Sequence, residues 1–408
     1  MAEVIEVLDS IMGSHKTTGI IKWMEKYHEE KYIYVSPLLS EVGDGGRLSQ
    51  AVSRISFSYP TTEDHDTKSE HLLELLSNGE NIACTHSLYM SLTNEHLDLV
   101  EYHGYTVVID EEINVIEGFD KYSIDDYKWL YSNEKVSVDP HDGMLSWVCD
   151  QPVGKAHKYY MLKQYCDSQC LYVAKRSNLM MVTQLPIRLM TVAKRVVILT
   201  YMFEGNILDR FLRLKGVESK PFREIEVTKT SKDTIRDLIE LVEPRADLSI
   251  STGLSSSWYK RASQAQLDVV GKYIRSVAMK YKATPDDLMY TIPKERHVGS
   301  KNLVKPKGYY RKRSNDGSWS YCWLPVQTRA TNDYADKSVL VHCYDRYPMV
   351  SVESYLQDYG YPISREVFAL SEMLQWVWRS RIRKGEKIVL AIASKRMYSL
   401  FRDWLNKD

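Results

Sequence analysis

The sequence lacks an excess of charge of either sign. Its 408 residues include 54 lysines and arginines and 54 aspartates and glutamates. No overall electrostatic field therefore draws the protein toward nucleic acid or a membrane surface, and any site for a polyanion must be a local patch. A chain of this length can form two or three domains, each with a substantial hydrophobic core.

Long apolar runs and cysteines are also scarce. Runs such as "RVVILTYMF" at 195–203 are far shorter than the roughly 20 residues that span a bilayer. The N-terminal "MAEVIEVLDS" has neither a basic nor an apolar signal region, so no secretion signal is expected. Six cysteines in a chain this long do not form a disulfide framework, which predicts a reduced, cytoplasmic compartment.

Strand and helix patterns alternate along the first half of the chain. Apolar, β-branched runs predict strands at 4–9, 31–39, 81–86, 105–112 and 195–203. Helical spacing of apolar residues predicts helices at 16–27, 69–79 and 94–104. Such alternation is typical of a doubly wound parallel sheet.

The same pattern restarts around residues 205–220. It predicts a strand at 222–229, a helix at 231–243, a strand at 386–394 and a helix at 395–405. The sequence therefore predicts an α/β protein with two domains, 1–215 and 216–408.

A degenerate phosphate-binding loop lies near the start of the chain. Such loops follow Gly-x-x-x-x-Gly-Lys-Ser/Thr, and residues 10–17 read "SIMGSHKT", which lacks both pattern glycines. Lys16 can reach the β- and γ-phosphates of a nucleotide, and the Thr17 hydroxyl can hold Mg²⁺. The predicted nucleotide-contacting residues are Gly13, Ser14, His15, Lys16, Thr17 and Thr18. An ordinary strand–turn–helix with a chance "KTT" is the alternative.

The strand "VVIDEE" provides the second half of such a site. A hydrophobic strand that ends in acids places carboxylates beside a bound nucleotide and its metal. Asp110 would hold Mg²⁺, directly or through water, and Glu111 would polarise the attacking water. Since the two motifs occur in the right order, ATP or GTP binding is the favoured interpretation. An acidic loop after a core strand is the alternative.

A third motif lies in "FALSEMLQWVWRSRIRKGE" near the C-terminus. It predicts a helix carrying Gln375, Arg379, Arg381 and Arg383. An arginine that reaches the γ-phosphate stabilises charge during phosphoryl transfer. We therefore expect Gln375, Arg379 and Arg383 to be catalytic. An exposed basic helix end, or arginines that contact nucleic-acid phosphates, is the alternative.

Residues 305–323 combine basic and aromatic residues around "NDG", which predicts a β-hairpin. Lysines and arginines contact phosphates, and aromatic rings stack on bases. The predicted nucleic-acid contacts in this hairpin are Tyr310, Arg311, Lys312, Arg313 and Trp319. A solvated basic hairpin with a half-buried aromatic face is the alternative.

These motifs together resemble superfamily-two helicases, and more narrowly the helicase/ATPase proteins of tailed bacteriophages. The resemblance runs through "DSIMGSHKTTGIIKWM", "KYIYVSPLLSEV", "NIACTHSLY", "YTVVIDEE", "RVVILTYMFEG", "TRATNDY" and the C-terminal arginine segment. It implies a P-loop NTPase with two RecA-like doubly wound lobes, with ATP and Mg²⁺ bound in the cleft between them. It also places Thr85 and His86 among the nucleic-acid contacts and makes Thr200 a coupling hydroxyl.

The resemblance has three departures. His15 replaces the glycine before the lysine, "ILTYMFEG" stands where many relatives have Ser-Ala-Thr, and Trp378 stands where a glycine precedes the first arginine of the C-terminal motif. These changes bear on the rate of catalysis more than on the fold.

The function expected from this resemblance is an ATP-dependent helicase or translocase in the host cytoplasm. The expected substrate is single-stranded or forked DNA, with RNA as the alternative, and the expected role is phage replication, recombination or repair. A nucleotide-binding adaptor with weak or no turnover is a second interpretation. A packaging-type ATPase ranks last, because residues 216–408 show no Asp/Glu triad at strand ends.

Overall fold

A computed structural model of the chain describes residues 4–407, except 44, 151–152, 175, 177–179, 229, 247–249, 251, 300, 314–318 and 329–332. The fold is mixed α/β and contains two parallel sheets. In chain order the strands are β1 (Val4–Asp9), β2 (Tyr32–Ser36), β3 (Ile82–Thr85), β4 (Thr106–Asp110), β5 (Ile116–Gly118), β6 (Val136–Val138), β7 (Leu145–Trp147), β8 (Leu171–Val173), β9 (Met181–Gln184), β10 (Arg195–Thr200), β11 (Glu218–Pro221), β12 (Ile239–Val242), β13 (Leu288–Thr291), β14 (Lys312–Arg313), β15 (Trp319–Ser320), β16 (Val339–His342) and β17 (Ile388–Ile392).

The helices surround these strands and alternate with them. They are α1 (Lys16–Lys26), α2 (Leu39–Val42), α3 (Arg47–Ala51), α4 (Lys68–Ser77), α5 (His86–Met90), α6 (Asn94–His103), α7 (Ile124–Ser132), α8 (Tyr160–Asp167), α9 (Arg188–Thr191), α10 (Ile207–Leu214), α11 (Lys232–Leu238), α12 (Ser256–Arg261), α13 (Gln264–Lys280), α14 (Lys294–His297), α15 (Val350–Asp358), α16 (Arg365–Val377) and α17 (Lys395–Asn406), with a 3₁₀ helix at Arg381–Lys384.

The chain forms two compact units, and neither is one continuous segment. The first contains residues up to Ile11, His15–Val227 and Pro348–Ser364. The second contains Met12–Ser14, Thr228–Tyr347 and the residues from Arg365 onward. The main division therefore falls after Val227 rather than after residue 215, and the predicted boundary needs this correction.

The first unit is built on a six-stranded parallel sheet in the order β11-β1-β10-β4-β2-β3. Every residue of β2 is buried, and β1, β4 and β10 are buried along most of their length. Strands covered on both faces read as continuous apolar runs, which is why the sequence located them. One face of the sheet packs against Ile20, Ile21 and Met24 of α1.

Local signals fix the ends of the helices that connect these strands. Thr67 and Glu70 form a capping box at the start of α4, which satisfies backbone N–H groups that have no partner inside the helix. Gly104 ends α6 in the left-handed conformation, with φ of 64°. The helices predicted at 16–27, 69–79 and 94–104 are confirmed.

The connection from β4 to β10 contains a small insertion with its own core. Strands β5, β9 and β8 form an antiparallel sheet, and β6 pairs with β7. Helix α7 begins at a capping box formed by Ser123 and Asp126. The insertion core includes Phe119, Leu130 and Leu162. No sequence pattern predicted this insertion.

Helix α15 belongs to the first unit although it lies far along the chain. The Tyr355 hydroxyl donates to the Asp142 carbonyl over 2.6 Å, and α15 packs on β5 and β9. The packing is close: a Cβ on Gly118 would lie 2.5 Å from the Ser351 hydroxyl, so a larger residue would force neighbouring side chains to shift. The insertion is therefore completed by a segment from the second half of the sequence.

The second unit contains a four-stranded parallel sheet in the order β12-β17-β16-β13. Helix α13 buries a face that includes Leu267 and Ile274, and α16 is buried along most of its length. The strand predicted at 386–394 and the helix predicted at 395–405 are confirmed as β17 and α17.

At the start of the second half, one predicted element is wrong and another is shorter than predicted. Residues 222–228 are not a strand; Phe222, Ile225 and Val227 pack against the first core instead, and this gives the segment its apolar spacing. The helix predicted at 231–243 ends at Leu238, and the chain continues as β12, with Ile239 opposite Ile388 of β17. The β-branched Ile239 and Val242 suit a strand better than a helix end.

The predicted basic hairpin is present as a two-stranded antiparallel pair. Lys312 lies opposite Ser320, and Arg313 lies opposite Trp319. The "NDG" turn and the side chains of these four paired residues lie outside the described part of the structure. Among the described residues, no helix is long and apolar enough to cross a membrane.

Two histidines are buried in the second unit without charge. His297 stacks on Trp323 with ring centroids 4.3 Å apart, and burial lowers its pKa to about 4. Burial, with a contribution from the charge of Arg346, lowers the pKa of His342 to about 3. No described residue forms a hydrogen bond with either ring nitrogen of His342.

These histidines predict that the second unit loses stability in acid. Below the unfolded-state pKa of roughly 6.5, the unfolded chain binds protons that the folded chain does not bind until about pH 3 at His342. The free energy of unfolding should therefore fall as the pH drops from 6.5, by up to about 1.4 kcal/mol per pH unit for each histidine.

Thermal unfolding between pH 7.5 and 4.5 should show a smaller loss for His342→Phe than for wild type. His141→Gln, which changes an exposed histidine, is the control. An equal acid loss in wild type and His342→Phe would contradict the assignment.

Candidate nucleotide and metal site

The strand order brings the two N-terminal motifs to one edge of the first sheet. Strand β10 lies between β1 and β4 and pairs in parallel with both. The carboxyl ends of β1, β10 and β4 are therefore neighbours, and in open α/β sheets this edge is the usual place for a ligand. Asp9, Thr200 and Asp110 are the last residues of these three strands.

The loop between β1 and α1 has two left-handed residues. Gly13 has φ of 80°, and His15 has φ of 62° and ψ of 27° at the N-cap of α1. Residues with a Cβ rarely adopt this conformation, which costs roughly 1–2 kcal/mol. His15 thus occupies a backbone position that suits glycine. Helix α1 nevertheless starts normally, with the Gly19 N–H donating to the His15 carbonyl over 2.8 Å.

The ammonium group of Lys16 lies against the loop that precedes it. It donates to the carbonyl oxygen of Ser10 and, over 3.3 Å, to that of Ile11. Burial lowers the pKa of Lys16 to about 8, against the opposing effect of nearby carboxylates, with Asp110 foremost. These carbonyl contacts hold the ammonium group of Lys16 against residues 10 and 11 of the loop.

The carboxylate of Asp110 is held by two hydroxyl groups. Thr17 on α1 donates to Oδ2 over 2.9 Å, and Tyr34 on β2 donates to the same oxygen over 3.0 Å. Neither donor uses Oδ1. Burial, and then the charge of Glu111, raises the pKa of Asp110, while the two hydroxyls act to lower it.

This pair of side chains suits a hard divalent cation. Mg²⁺ binds hydroxyl and carboxylate oxygens and retains several water molecules. Since the Thr17 hydroxyl donates a hydrogen bond to Asp110, the lone pairs of its oxygen remain available to a metal. The residues that would hold Mg²⁺ are therefore Thr17 and Asp110, which the sequence singled out.

The two glutamates after Asp110 have different environments. Glu111 adopts a left-handed conformation with φ of 63°, a strained state of the kind that clusters at functional sites. Its N–H donates to the Leu199 carbonyl over 3.1 Å. Glu112 accepts from the Thr200 hydroxyl over 2.6 Å, which links the end of β4 to the end of β10.

Asp9 fixes the third neighbouring strand end. Its carboxylate accepts from the backbone N–H groups of Met202 and Phe203 over 2.8 and 3.0 Å. The Ser10 N–H donates to the Thr200 carbonyl over 3.0 Å. The loop after β1 and the segment after β10 are thereby tied together. Asp9 and Glu112 could have been found as acids at the ends of predicted strands.

The remaining loop residues differ in exposure. Gly13 is exposed, whereas Ser14 is completely buried and its hydroxyl has no hydrogen-bond partner among the described residues. Thr18 accepts from Arg47 over 2.8 Å. Arg47 also pairs with Glu41 over 3.7 Å.

His86 does not lie where a nucleic-acid contact requires it. Its side chain is buried, and Nε2 lies 2.8 Å from the backbone carbonyl oxygen of Asp110. The prediction of a nucleic-acid contact is therefore corrected: His86 supports the acidic strand end from inside the fold. Thr85 accepts from the Leu88 N–H over 3.4 Å and caps α5.

The C-terminal arginines belong to the second unit, and the single helix predicted for them is wrong. Helix α16 ends at Val377, so it carries Gln375 but not the arginines, and a 3₁₀ helix starts at Arg381. Gln375 is half-buried, Arg379 is buried and Arg383 is exposed. The bulky Trp376 and Trp378 are both buried.

Tyr310 of the basic hairpin contacts His297 with both its hydroxyl and its ring. Its hydroxyl donates to the His297 carbonyl over 2.6 Å, and its ring lies 4.8 Å from the His297 ring. Arg311 is exposed. The part of "TRATNDY" at 329–332 lies outside the described residues.

Known proteins resemble this chain in sequence and in fold. The family described as the YonV C-terminal Rossmann-like domain matches residues 233–405. The SPbeta prophage-derived uncharacterized protein YonV of Bacillus subtilis (strain 168) is 29% identical over 433 residues, with 100% of both chains covered. The chain is thus similar to a prophage-derived protein along its whole length.

Two solved structures share the fold. One, described as XPD_APO, superimposes with a TM-score of 0.54 at 14% identity, covering 99% of this chain and 95% of the other. The structure of S. tokodaii Xpd4 gives a TM-score of 0.50 at 12% identity, covering 99% and 94%. At these identities the likeness concerns the fold alone, and it extends across both units.

The left-handed His15 predicts an unusual response to substitution. His15→Gly should keep or raise nucleotide affinity and turnover, because glycine adopts the observed φ of 62° without the cost of a Cβ. His15→Ala removes the ring but keeps the strain, so it should not improve on wild type. Nucleotide titrations and steady-state ATPase assays of both variants test this. A tenfold loss of affinity in both variants would show instead that the imidazole ring binds phosphate.

Proposed function

We propose that this chain is an ATP-dependent nucleic-acid translocase or helicase of superfamily two, built from two RecA-like lobes and acting on DNA. The observation that carries the proposal is the 2.9 Å hydrogen bond from Thr17 to Asp110. It joins the residue after the loop lysine to the acid at the end of β4, as a nucleotide-hydrolysing site requires. The XPD-like fold and the likeness to a prophage-derived protein support the same proposal.

The first unit contains Lys16, Thr17, Asp110 and Glu111, which have separate proposed roles in nucleotide hydrolysis. Bound Mg²⁺ would neutralise charge on the β- and γ-phosphates. Lys16 would exchange its carbonyl contacts with Ser10 and Ile11 for phosphate oxygens and stabilise their developing charge. Glu111 would orient the attacking water and accept its proton. Through the Thr200–Glu112 hydrogen bond, a movement at the end of β4 during hydrolysis would be transmitted to β10 and to the segment that follows it.

The other predicted catalytic groups belong to the second unit. Gln375, Arg379 and Arg383 lie within one short stretch that includes the end of α16 and the 3₁₀ helix. Of the two arginines, the buried Arg379 is the better candidate for an arginine finger, since a guanidinium removed from water interacts more strongly with a phosphate. The exposed Arg383 suits a nucleic-acid phosphate equally well.

The basic hairpin would bind the nucleic-acid strand. Arg311 is exposed, and the chain places Lys312 and Arg313 directly after it on β14. Cationic side chains bind phosphates without regard to sequence, as a translocase needs. Tyr310, whose hydroxyl is bound to the His297 carbonyl, would support the hairpin base.

An adaptor that binds nucleotide without turnover is the second candidate. The left-handed His15 favours it, because a strained loop position before the catalytic lysine can slow hydrolysis. Stimulation of ATPase activity by DNA separates the two candidates, since a motor couples hydrolysis to the strand and an adaptor does not.

ATP hydrolysis measured with and without single-stranded DNA tests the proposal. Wild type should hydrolyse ATP faster when DNA is present. Lys16→Ala should abolish turnover, and Glu111→Gln should bind ATP but hydrolyse it at least about 100-fold more slowly, because each change removes several kcal/mol of charge stabilisation or water activation. Lys22→Ala and Glu117→Gln, which change exposed residues of the same unit, are the controls. Equal turnover in wild type, Lys16→Ala and Glu111→Gln would refute the assignment.

The basic residues of the hairpin predict that the affinity for single-stranded DNA depends on salt concentration. Replacing Arg311, Lys312 and Arg313 together with alanine should weaken single-stranded DNA binding and leave basal ATPase activity intact. The slope of log affinity against log salt should fall by about 0.7 for each phosphate that the variant no longer neutralises. Fluorescence anisotropy over a salt series measures both quantities. Lys280→Ala with Lys282→Ala, an exposed basic pair in the same unit, is the matched control. An unchanged slope would remove the hairpin from the binding surface.

A further inference from the structure

We infer that Tyr34 is a positioning residue for the metal-binding carboxylate: its hydroxyl holds Asp110 in the orientation that binds Mg²⁺ together with the nucleotide. This inference rests on the proposed nucleotide site and adds a residue outside both of its sequence motifs. Tyr34 lies in the middle of β2, and its hydroxyl donates to Oδ2 of Asp110 over 3.0 Å.

The sheet register explains how the tyrosine reaches the acid. Tyr34 lies opposite Val108 in the parallel pair of β2 and β4. Since side chains alternate along a strand, Tyr34, Val108 and Asp110 share one face of the sheet. The ring of Tyr34 is almost completely buried beneath α1. Its packing fixes the direction of the hydroxyl, which extends toward the end of β4.

The arrangement leaves one carboxylate oxygen for a ligand. Thr17 and Tyr34 both donate to Oδ2, and they approach from different elements, a helix and a neighbouring strand. Two donors on one oxygen restrict rotation of the carboxylate. Oδ1, which neither hydroxyl uses, is then presented to a metal or to its bound water.

The Tyr34 hydroxyl has one proton to donate, and Asp110 Oδ2 accepts it. A threonine alone would leave the carboxylate held from one side only.

The adjacent tyrosine on the same strand provides a matched control. Tyr32 lies two residues earlier on the same face, and it is equally buried. Its hydroxyl donates to the Tyr27 carbonyl at the end of α1 over 2.9 Å. Tyr32→Phe and Tyr34→Phe thus each remove one buried hydroxyl and one hydrogen bond, but only Tyr34→Phe changes the environment of Asp110.

The test is the binding of adenylyl-imidodiphosphate, a non-hydrolysable ATP analogue, in Mg²⁺ and in EDTA. We expect Tyr34→Phe to weaken binding about tenfold in Mg²⁺, the range for a hydrogen bond to a charged group, and to leave binding in EDTA unchanged. The Mg²⁺ concentration for half-maximal binding should rise by a similar factor. Tyr32→Phe should match wild type in both conditions.

A double-mutant cycle and thermal melting complete the test. In an Asp110→Asn background, Tyr34→Phe should have no further effect on the dependence of binding on Mg²⁺, because the group it positions has been changed. Equal losses in Mg²⁺ and EDTA, or a much larger fall in melting temperature than in Tyr32→Phe, would overturn the inference and make Tyr34 a packing residue. Wild-type binding that does not respond to Mg²⁺ would overturn the proposed function itself. A normal Mg²⁺ response in both wild type and Tyr34→Phe would overturn only the role of Tyr34.

Discussion

The carboxylate of Asp110 is the constraint on which the candidate site depends. A buried carboxylate is costly unless hydrogen bonds replace its lost water, and burial raises the pKa of Asp110. The hydroxyls of Thr17 and Tyr34 oppose that effect from two different elements. Because Thr17 lies on the helix that starts at Lys16, the same interaction sets the position of the lysine relative to the acid. The strand order β1-β10-β4-β2 is what brings these residues together.

The loop between β1 and α1 combines a strained residue with a normal helix start. His15 has the left-handed conformation, and α1 begins at the next residue. The strain is therefore local, and the helix that carries Lys16 and Thr17 starts normally. Strain at Glu111, which also has positive φ, lies at the end of the neighbouring acidic strand. His15 precedes the predicted catalytic Lys16, and Glu111 is itself a predicted catalytic residue; strained residues of this kind cluster at functional sites.

Sequence patterns predicted the first sheet well, because its central strands are buried on both faces and appear as unbroken apolar runs. The sequence patterns failed where apolar residues pack against the core without forming a strand. Phe222 and Val227 pack against the core around α1, so their spacing resembled a strand. Tyr34 was not identified because its partner depends on the register between β2 and β4, which no local pattern encodes. The Thr17–Asp110 hydrogen bond was predictable, since each residue belongs to a motif whose chemistry requires the other.

The matched family and the structural units divide the chain differently. Residues 233–405 match the YonV C-terminal Rossmann-like domain, yet residues 348–364 within that range belong to the first unit. Tyr355 binds the Asp142 carbonyl, and Met349 and Ser351 lie against Gly118, so the insertion after β4 is completed by α15. The chain leaves the second unit after β16 and returns to it before α16. The insertion is thus joined at one end to the acidic strand β4 and, through α15, to the connection between β16 and the helix that carries Gln375.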